Sequence, residues 1–171
     1  MARDEYSEKA HFNSLFSGAN LDGIHFSPDL SQHVDNAILK AAIAMLGNLQ
    51  GKRILLFGCG SGQEAWYLAE HGADVVGIDI SFNYLRIAAS GAKRFNYSEQ
   101  TRFSCMSGYT MAFKDQSFDL VFGHAILHHL DPILVGREIP RILVPDGIAI
   151  FSEPLNSNPF LRFARNHLPY P

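Results

Sequence analysis

Cysteine is scarce in this chain of 171 residues: there are two, Cys59 and Cys105. Two thiols cannot make a disulfide framework, so the fold must rest on a buried core, and the length suits one domain. An excess of either charge is missing as well. Fourteen Lys and Arg stand against 17 Asp and Glu, a formal net charge of −3. Composition therefore provides no basic stripe for nucleic acid or an anionic membrane. Apolar runs stay well short of the roughly 18 residues that a membrane span needs. The opening segment, Met1-Ala2-Arg3-Asp4-Glu5-Tyr6-Ser7-Glu8, is acidic and lacks the apolar stretch of a secretory signal. Repeats and low-complexity tracts are absent too. These absences point to a cytoplasmic protein with no nucleic-acid and no membrane partner. What is abundant agrees: 47% of the residues are hydrophobic and 12% aromatic, which excludes a disordered chain.

Residues 1–50 read as helical or irregular. Val34, Ala37, Ile38, Ala41, Ala42, Met45 and Leu46 recur with a helical period ahead of Gly47. Before them Phe12, Leu15, Phe16, Leu21, Ile24 and Phe26 are scattered among Gly, Asn and Pro, as in a short helix and a loop held by aromatic anchors. The pattern changes at Arg53. Short apolar runs at 54–57, 74–78, 102–106, 118–122 and 148–151 predict strands, the last preceded by a turn at Pro145-Asp146-Gly147. Helices are predicted at 64–71, after Ser81 through Ala89, and at 133–143. Such alternation means right-handed β-α-β units. The expected fold is α/β, a doubly wound Rossmann-like parallel sheet over residues 51–171, with residues 1–50 as a helical cap or lid. Ligands in such folds bind beyond the carboxyl ends of the strands.

Gly58-Cys59-Gly60-Ser61-Gly62 separates the first run from its helix. Glycines there let the chain turn tightly and let a ligand approach the main chain, and the N–H groups that open the helix favour polar or anionic groups. Asp79 closes the second strand, 17 residues after Gly62. A carboxylate at that place can accept two hydrogen bonds from a ribose diol. Turning alone requires one or two glycines; three, with an acid one strand later, point to a nucleotide ligand. Helix capping falls to Ser81, which leaves the Asp79 carboxylate free. The spacing also selects among nucleotides. A dinucleotide turn is written G-x-G-x-x-G, and counted from Gly58 its last glycine would fall on Gln63 rather than on Gly62. A nicotinamide-dependent oxidoreductase is thereby disfavoured.

The stretch Ile54-Leu55-Leu56-Phe57-Gly58-Cys59-Gly60-Ser61-Gly62 resembles the nucleotide loop of class I S-adenosylmethionine-dependent methyltransferases. Further likenesses follow in order: residues 72–81 for the second strand and its ribose acid, 113–121 for the lead into the fourth strand, Leu127-His128-His129-Leu130 for the short helix after it, and 137–147 before the fifth strand. Together they resemble the small-molecule methyltransferases of that class. The resemblance implies strand order 3-2-1-4-5 and S-adenosyl-L-methionine as cofactor, with S-adenosyl-L-homocysteine as product. It implies that Gly58, Cys59, Gly60, Ser61 and Gly62 line the amino-acid half of the cofactor. Asp79 would hold the ribose hydroxyls with Ile80 against the adenine. Ser107 and Gly108 would meet the adenine amino group and ring, and Gly123 and His124 the methionine part and the methyl group. Leu56 and Ser107 stand where the family often has acids.

Methyl transfer from a sulfonium is an in-line displacement that needs proximity, orientation and sometimes a base, but no metal. His124 and His128 are the catalytic candidates, with His129 a third imidazole; for the adjacent pair the alternative is a short helix with one histidine packed and one solvated. Cys59 reads as a small loop residue and Cys105 as strand core. Tyr6, Phe12, Phe16, His25 and Phe26 could form a lid or simply pack on the sheet. Sixth and seventh strands of the family have no counterpart, so the apolar fifth strand would be a sheet edge, open to pairing. A homodimer covering that edge, or a longer polypeptide, is expected. The expected function is methyl transfer to a small-molecule acceptor. The alternatives are a binding module for the cofactor without turnover and a fragment of a longer methyltransferase.

Overall fold

The computed structural model describes residues 5–15 and 37–153. Two helices come first, α1 (Glu5–Ser14) and α2 (Ala37–Leu46). Strands and helices then alternate: β1 (Arg53–Phe57), α3 (Gln63–Glu70), β2 (Asp74–Asp79), α4 (Phe82–Arg94), β3 (Thr101–Cys105) and β4 (Phe118–His124). A single 3₁₀ turn (Leu127–His129), α5 (Pro132–Ile142) and β5 (Leu143–Ser152) complete the order. The expectations for Phe16, Leu21, Ile24, His25, Phe26, Val34 and residues 154–171 lie outside the described residues. Among the described residues no helix is long and apolar enough to cross a membrane.

All five strands are parallel and lie in the expected order, β3-β2-β1-β4-β5. Side chains of a strand alternate between faces, and the core follows that period. Ile54 and Leu56 of β1 join Leu120 and Phe122 of β4 in one cluster, with Trp66 and Leu68 of α3. Leu55 and Phe57 join Val121 on the other face, with Val135, Ile139 and Ile142 of α5. Leu39 and Ala42 of α2 are buried in the first cluster.

Local differences have local causes. The predicted turn at Pro145-Asp146-Gly147 lies inside β5, not before it. Leu143 already pairs with Phe118, and Ile148 pairs with Leu120, so the intervening residues bulge from the ladder. Pro145 has no N–H to give to a ladder, and Asp146 takes a left-handed φ of 64°. Cys105 is exposed at the end of β3 rather than core; both cysteines are free thiols.

Candidate functional site

The glycine loop leaves β1 at the switch point, because β2 lies on one side of β1 and β4 on the other. Gly58, Gly60 and Gly62 all have positive φ, at 71°, 49° and 85°, which side chains with a Cβ rarely adopt. Close packing adds a second requirement at two of them. A Cβ on Gly58 would come within 2.7 Å of the Ile126 side chain, and one on Gly62 within 2.6 Å of Ala88 Cβ. Gly62 thus serves the approach of α3 to α4. Gly60 meets nothing within 4 Å. The loop is also tied down by its own N–H groups. Those of Gly58 and Cys59 both donate to Ile78 O at 2.9 Å, and that of Gly62 donates to Cys59 O at 3.0 Å. A loop with its donors so engaged is a poor cradle for a pyrophosphate.

Asp79 ends β2 beside the loop. Its Oδ2 accepts from Gly60 N at 2.9 Å and its Oδ1 from Ser81 N at 2.8 Å. The carboxylate is therefore free of helix capping, as Ser81 Oγ accepts from Tyr84 N at 3.3 Å, but it is not unpartnered. Each oxygen keeps a lone pair for a ligand. Burial pushes its acidity to a higher pH than usual, partly offset by the N–H groups of Ser81, Gly60 and Ile80.

A cavity of about 330 Å³ opens above these ends of the strands. Of the residues that the resemblance implies, Gly58, Cys59, Gly60, Ser61, Asp79, Ile80, Gly108 and His124 line it. Gly62, Ser107, Gly123 and His128 are not on its wall. Ser107 Oγ instead accepts from Tyr109 N at 3.2 Å within its own turn. A Cβ on Gly123 would strike Phe151 at 2.6 Å, so that glycine makes room between strands.

The far wall comes from α1 and the 3₁₀ turn. Phe12, Glu5 and Glu8 of α1 line the cavity. Phe12 packs on Tyr84 and edge-on against His129, with ring centroids 6.1 Å and 5.8 Å apart. Asn13 anchors the helix: its Oδ1 accepts from Ser81 Oγ at 3.1 Å and its backbone O from Asn83 Nδ2 at 2.6 Å. Glu8 is only 5% exposed, and its Oε2 lies 3.2 Å from His129 Nδ1. Tyr6, by contrast, is exposed. The two adjacent histidines divide as the structural alternative has it: His129 is packed against α1, and His128 is solvated.

His128 turns to Glu153, a residue that sequence reasoning passed over. Glu153 Oε2 lies 2.7 Å from His128 Nδ1, while Oε1 accepts from Ile126 N at 2.9 Å and from Leu127 N at 2.8 Å. One carboxylate thereby caps the turn that presents Ile126, His129 and Leu130 to the cavity. Burial pushes the Glu153 carboxyl up, but His128 and the two N–H groups together hold it below the usual carboxylate range. A depressed folded-state value means stability that is present above the unfolded value and lost as pH falls through the folded one. Glu153→Gln is expected to destabilise by about 1–2 kcal/mol near neutrality. Urea unfolding should show that deficit shrinking as the pH falls below the carboxylate range.

A second device holds the β3–β4 connection, which carries Gly108 and Tyr109. The Arg141 guanidinium of α5 grips Glu138 with Nε at 3.1 Å and Nη2 at 2.7 Å. It also donates to Phe113 O at 2.6 Å and Met111 O at 2.9 Å. This two-pronged hydrogen bond holds the Glu138 carboxyl below its usual range.

A parallel sheet with a glycine loop, an acid at the end of β2 and a cavity at the switch point defines a doubly wound nucleotide-cofactor domain. Residues 55–151 match a family model described as a methyltransferase domain, and the chain belongs to that family, with the class I fold. A ubiquinone biosynthesis O-methyltransferase of Alkalilimnicola ehrlichii is 36% identical over 116 residues, 67% of this chain and 46% of that protein. Its counterpart in Psychrobacter cryohalolentis is 32% identical over 113 residues, 65% and 44% of the two chains. Among solved structures, the 4+2 cyclase SpnF aligns with a TM-score of 0.62 at 32% identity, covering 67% of this chain and 43% of that one. An S-adenosylmethionine-dependent methyltransferase of Mesorhizobium loti aligns with a TM-score of 0.60 at 27% identity, covering 78% and 56%. The chain spans about half the length of these relatives.

Proposed function

We propose that the chain transfers a methyl group from S-adenosyl-L-methionine to a small acceptor that is neutral or cationic. The reading rests on one arrangement: the glycine loop and the Asp79 carboxylate meet at the switch point, on the wall of a cavity large enough for a nucleoside. When bound, the cofactor supplies an already activated methyl group. The chain's own residues then bind, orient and move a proton. Asp79 keeps lone pairs for a ribose diol, and Gly60 leaves the space beside it open. The relatives named as O-methyltransferases support a hydroxyl acceptor. Such a hydroxyl must lose its proton, and His129 is suited to take it. Its Nδ1 lies 3.2 Å from Glu8 Oε2, which leaves Nε2 for the acceptor. His124 is the second imidazole on the wall, whereas His128 turns to Glu153.

The charge preference comes from the walls. Glu5, Glu8, Glu64 and Asp79 face the cavity, and its described lining contains no Lys or Arg. Like charges facing each other in a dry cleft repel strongly. Methyl-labelled S-adenosyl-L-methionine, offered with neutral phenols, amines and carboxylate- or phosphate-bearing compounds, should label members of the first two groups. Label in the anionic compounds alone would overturn the charge preference; label in none would overturn methyl transfer to such acceptors.

A further inference from the structure

α1 closes one side of the cavity with little buried surface of its own. Of its ten residues only Glu8 is buried, while Tyr6 and the following Leu15 are exposed. A helix of this length is marginal in water without packing partners, so contacts with the rest of the fold must hold it over the strand ends. Glu8 lies beside His129, and Phe12 packs on Tyr84 and His129. Asn13 supplies a polar clasp. Its Oδ1 accepts from Ser81 Oγ at 3.1 Å and from Asn83 N at 3.4 Å, and its backbone O accepts from Asn83 Nδ2 at 2.6 Å. Ser81 works in two directions. It is fully buried; its hydroxyl oxygen accepts from Tyr84 N, and its single hydroxyl proton goes to Asn13. Its N–H goes to Asp79 Oδ1 at 2.8 Å. One residue thus holds α1 with its side chain and the cavity carboxylate with its main chain.

We propose that Asn13 is a positioning residue that couples the docking of α1 to the occupancy of Asp79. The inference rests on the reading of this cavity as an S-adenosyl site. Glu5, Glu8 and Phe12 lie on the wall, so a ligand that fills the cavity meets both α1 and the strand ends. Such a ligand favours the docked helix over the undocked one, and the docked helix favours the ligand by the same factor. Asn13 sets where the helix comes to rest. Through Ser81 and Asn83 it grips the N-terminal end of α4, the segment that directly follows the ribose acid. Undocking gives the Ser81 hydroxyl proton and the Asn83 amide back to water and loosens the cap of α4. That movement reaches Asp79 through the Ser81 N–H, whereas Gly60 N holds the other carboxylate oxygen from the loop side. A ribose diol needs both oxygens fixed, and α1 fixes one of them.

The test follows amide hydrogen exchange in α1, with and without saturating S-adenosyl-L-homocysteine, in wild type, Asn13→Ala and Asn83→Ala. Isothermal titration measures the affinity of each for the same ligand. In wild type the ligand should slow α1 exchange by about 5- to 100-fold. Asn13→Ala removes two hydrogen bonds from the clasp and keeps a good helix former, so ligand-free α1 should exchange about 5- to 50-fold faster. Asn83→Ala attacks the same clasp from α4 and should act in the same direction. Both variants should bind the ligand more weakly, by no more than the factor by which the ligand protects α1 in wild type. Amides of β1 and β4 should exchange as in wild type, which shows that the fold holds. A merely structural Asn13 would speed α1 exchange and leave the affinity unchanged; that result would overturn the coupling. Ligand binding to wild type without protection of α1 would overturn it as well. If wild type does not bind S-adenosyl-L-homocysteine at all, the S-adenosyl reading fails and takes the coupling with it, a result distinct from binding without protection.

Discussion

Replacing Asp79 by asparagine is expected to lower the affinity for S-adenosyl-L-homocysteine by about 100-fold while leaving the fold intact. The carboxylate has two jobs that the substitution separates. Toward the protein it accepts from Gly60 N and Ser81 N. Toward a ribose diol it would accept two further bonds, each strengthened by the negative charge. An amide has one acceptor oxygen, so it cannot serve both. The sign of the stability change follows from burial, which raises the folded-state value of this acid. A raised value means that the folded protein binds its proton more tightly than the unfolded chain does. The contribution of Asp79 to stability is thus most favourable at low pH and declines as pH rises from the ordinary carboxylate range through the folded value. Asparagine removes that decline. The amide also gives up one of the two N–H contacts, so the ligand-free variant should unfold about 1–2 kcal/mol below wild type, a deficit that shrinks as pH rises through the carboxylate range. Calorimetric titration with S-adenosyl-L-homocysteine and with NAD completes the experiment. Wild type should bind the first, and tight binding of NAD alone would contradict the S-adenosyl reading.

Gly91→Ala is expected to destabilise the protein by about 3 kcal/mol, lowering the melting temperature by roughly 10 °C. Helix propensity alone predicts the opposite sign, because alanine within a helix is favoured over glycine by about 1 kcal/mol. Gly91 lies in the body of α4, yet a Cβ there would stand 1.9 Å from Trp66 Cζ2 and 2.3 Å from Cη2. Trp66 cannot easily move. It is fully buried, its indole Nε1 donates to Ala88 O at 3.0 Å, and its ring packs on Phe95 with centroids 5.3 Å apart. Thermal or urea unfolding reads the outcome directly, and a more stable Gly91→Ala variant would show that the indole can be displaced at little cost.

The candidate site was legible where its requirements are local. Alternating glycines are needed for backbone shape, and Asp79 follows an apolar run that can only be a buried strand, so both announce themselves in one dimension. Ser81 as the N-cap of α4 is of the same kind. The cavity wall was legible only in part. His128 and His129 are neighbours of one residue type, and nothing local decides which turns inward. The decision comes from Glu153 at one end of the chain and Glu8 at the other, which draw the two rings in different directions. Glu153 also follows an apolar strand, but no glycine loop stands one strand earlier to single it out. Gly62 and Gly123 read as ligand positions, yet their missing Cβ atoms serve helix and strand packing, a demand set by Ala88, Phe151 and Ile126 from distant segments.

The sequence by itself determined the alternation of strand and helix, the parallel sheet and the end of it at which the cavity lies, because hydrophobic period and turn chemistry act over a few residues. It also determined the family, since the spacing of loop, acid and later strands is a linear property. Only the tertiary structure decided which side chains share the cavity. It set α1 over the site through Phe12 and Asn13, gave Glu64 a place beside the glycine loop, and made Gly91 indispensable to Trp66. Those outcomes depend on contacts between segments far apart in the chain, whose distances are fixed only once the two faces of the sheet are packed.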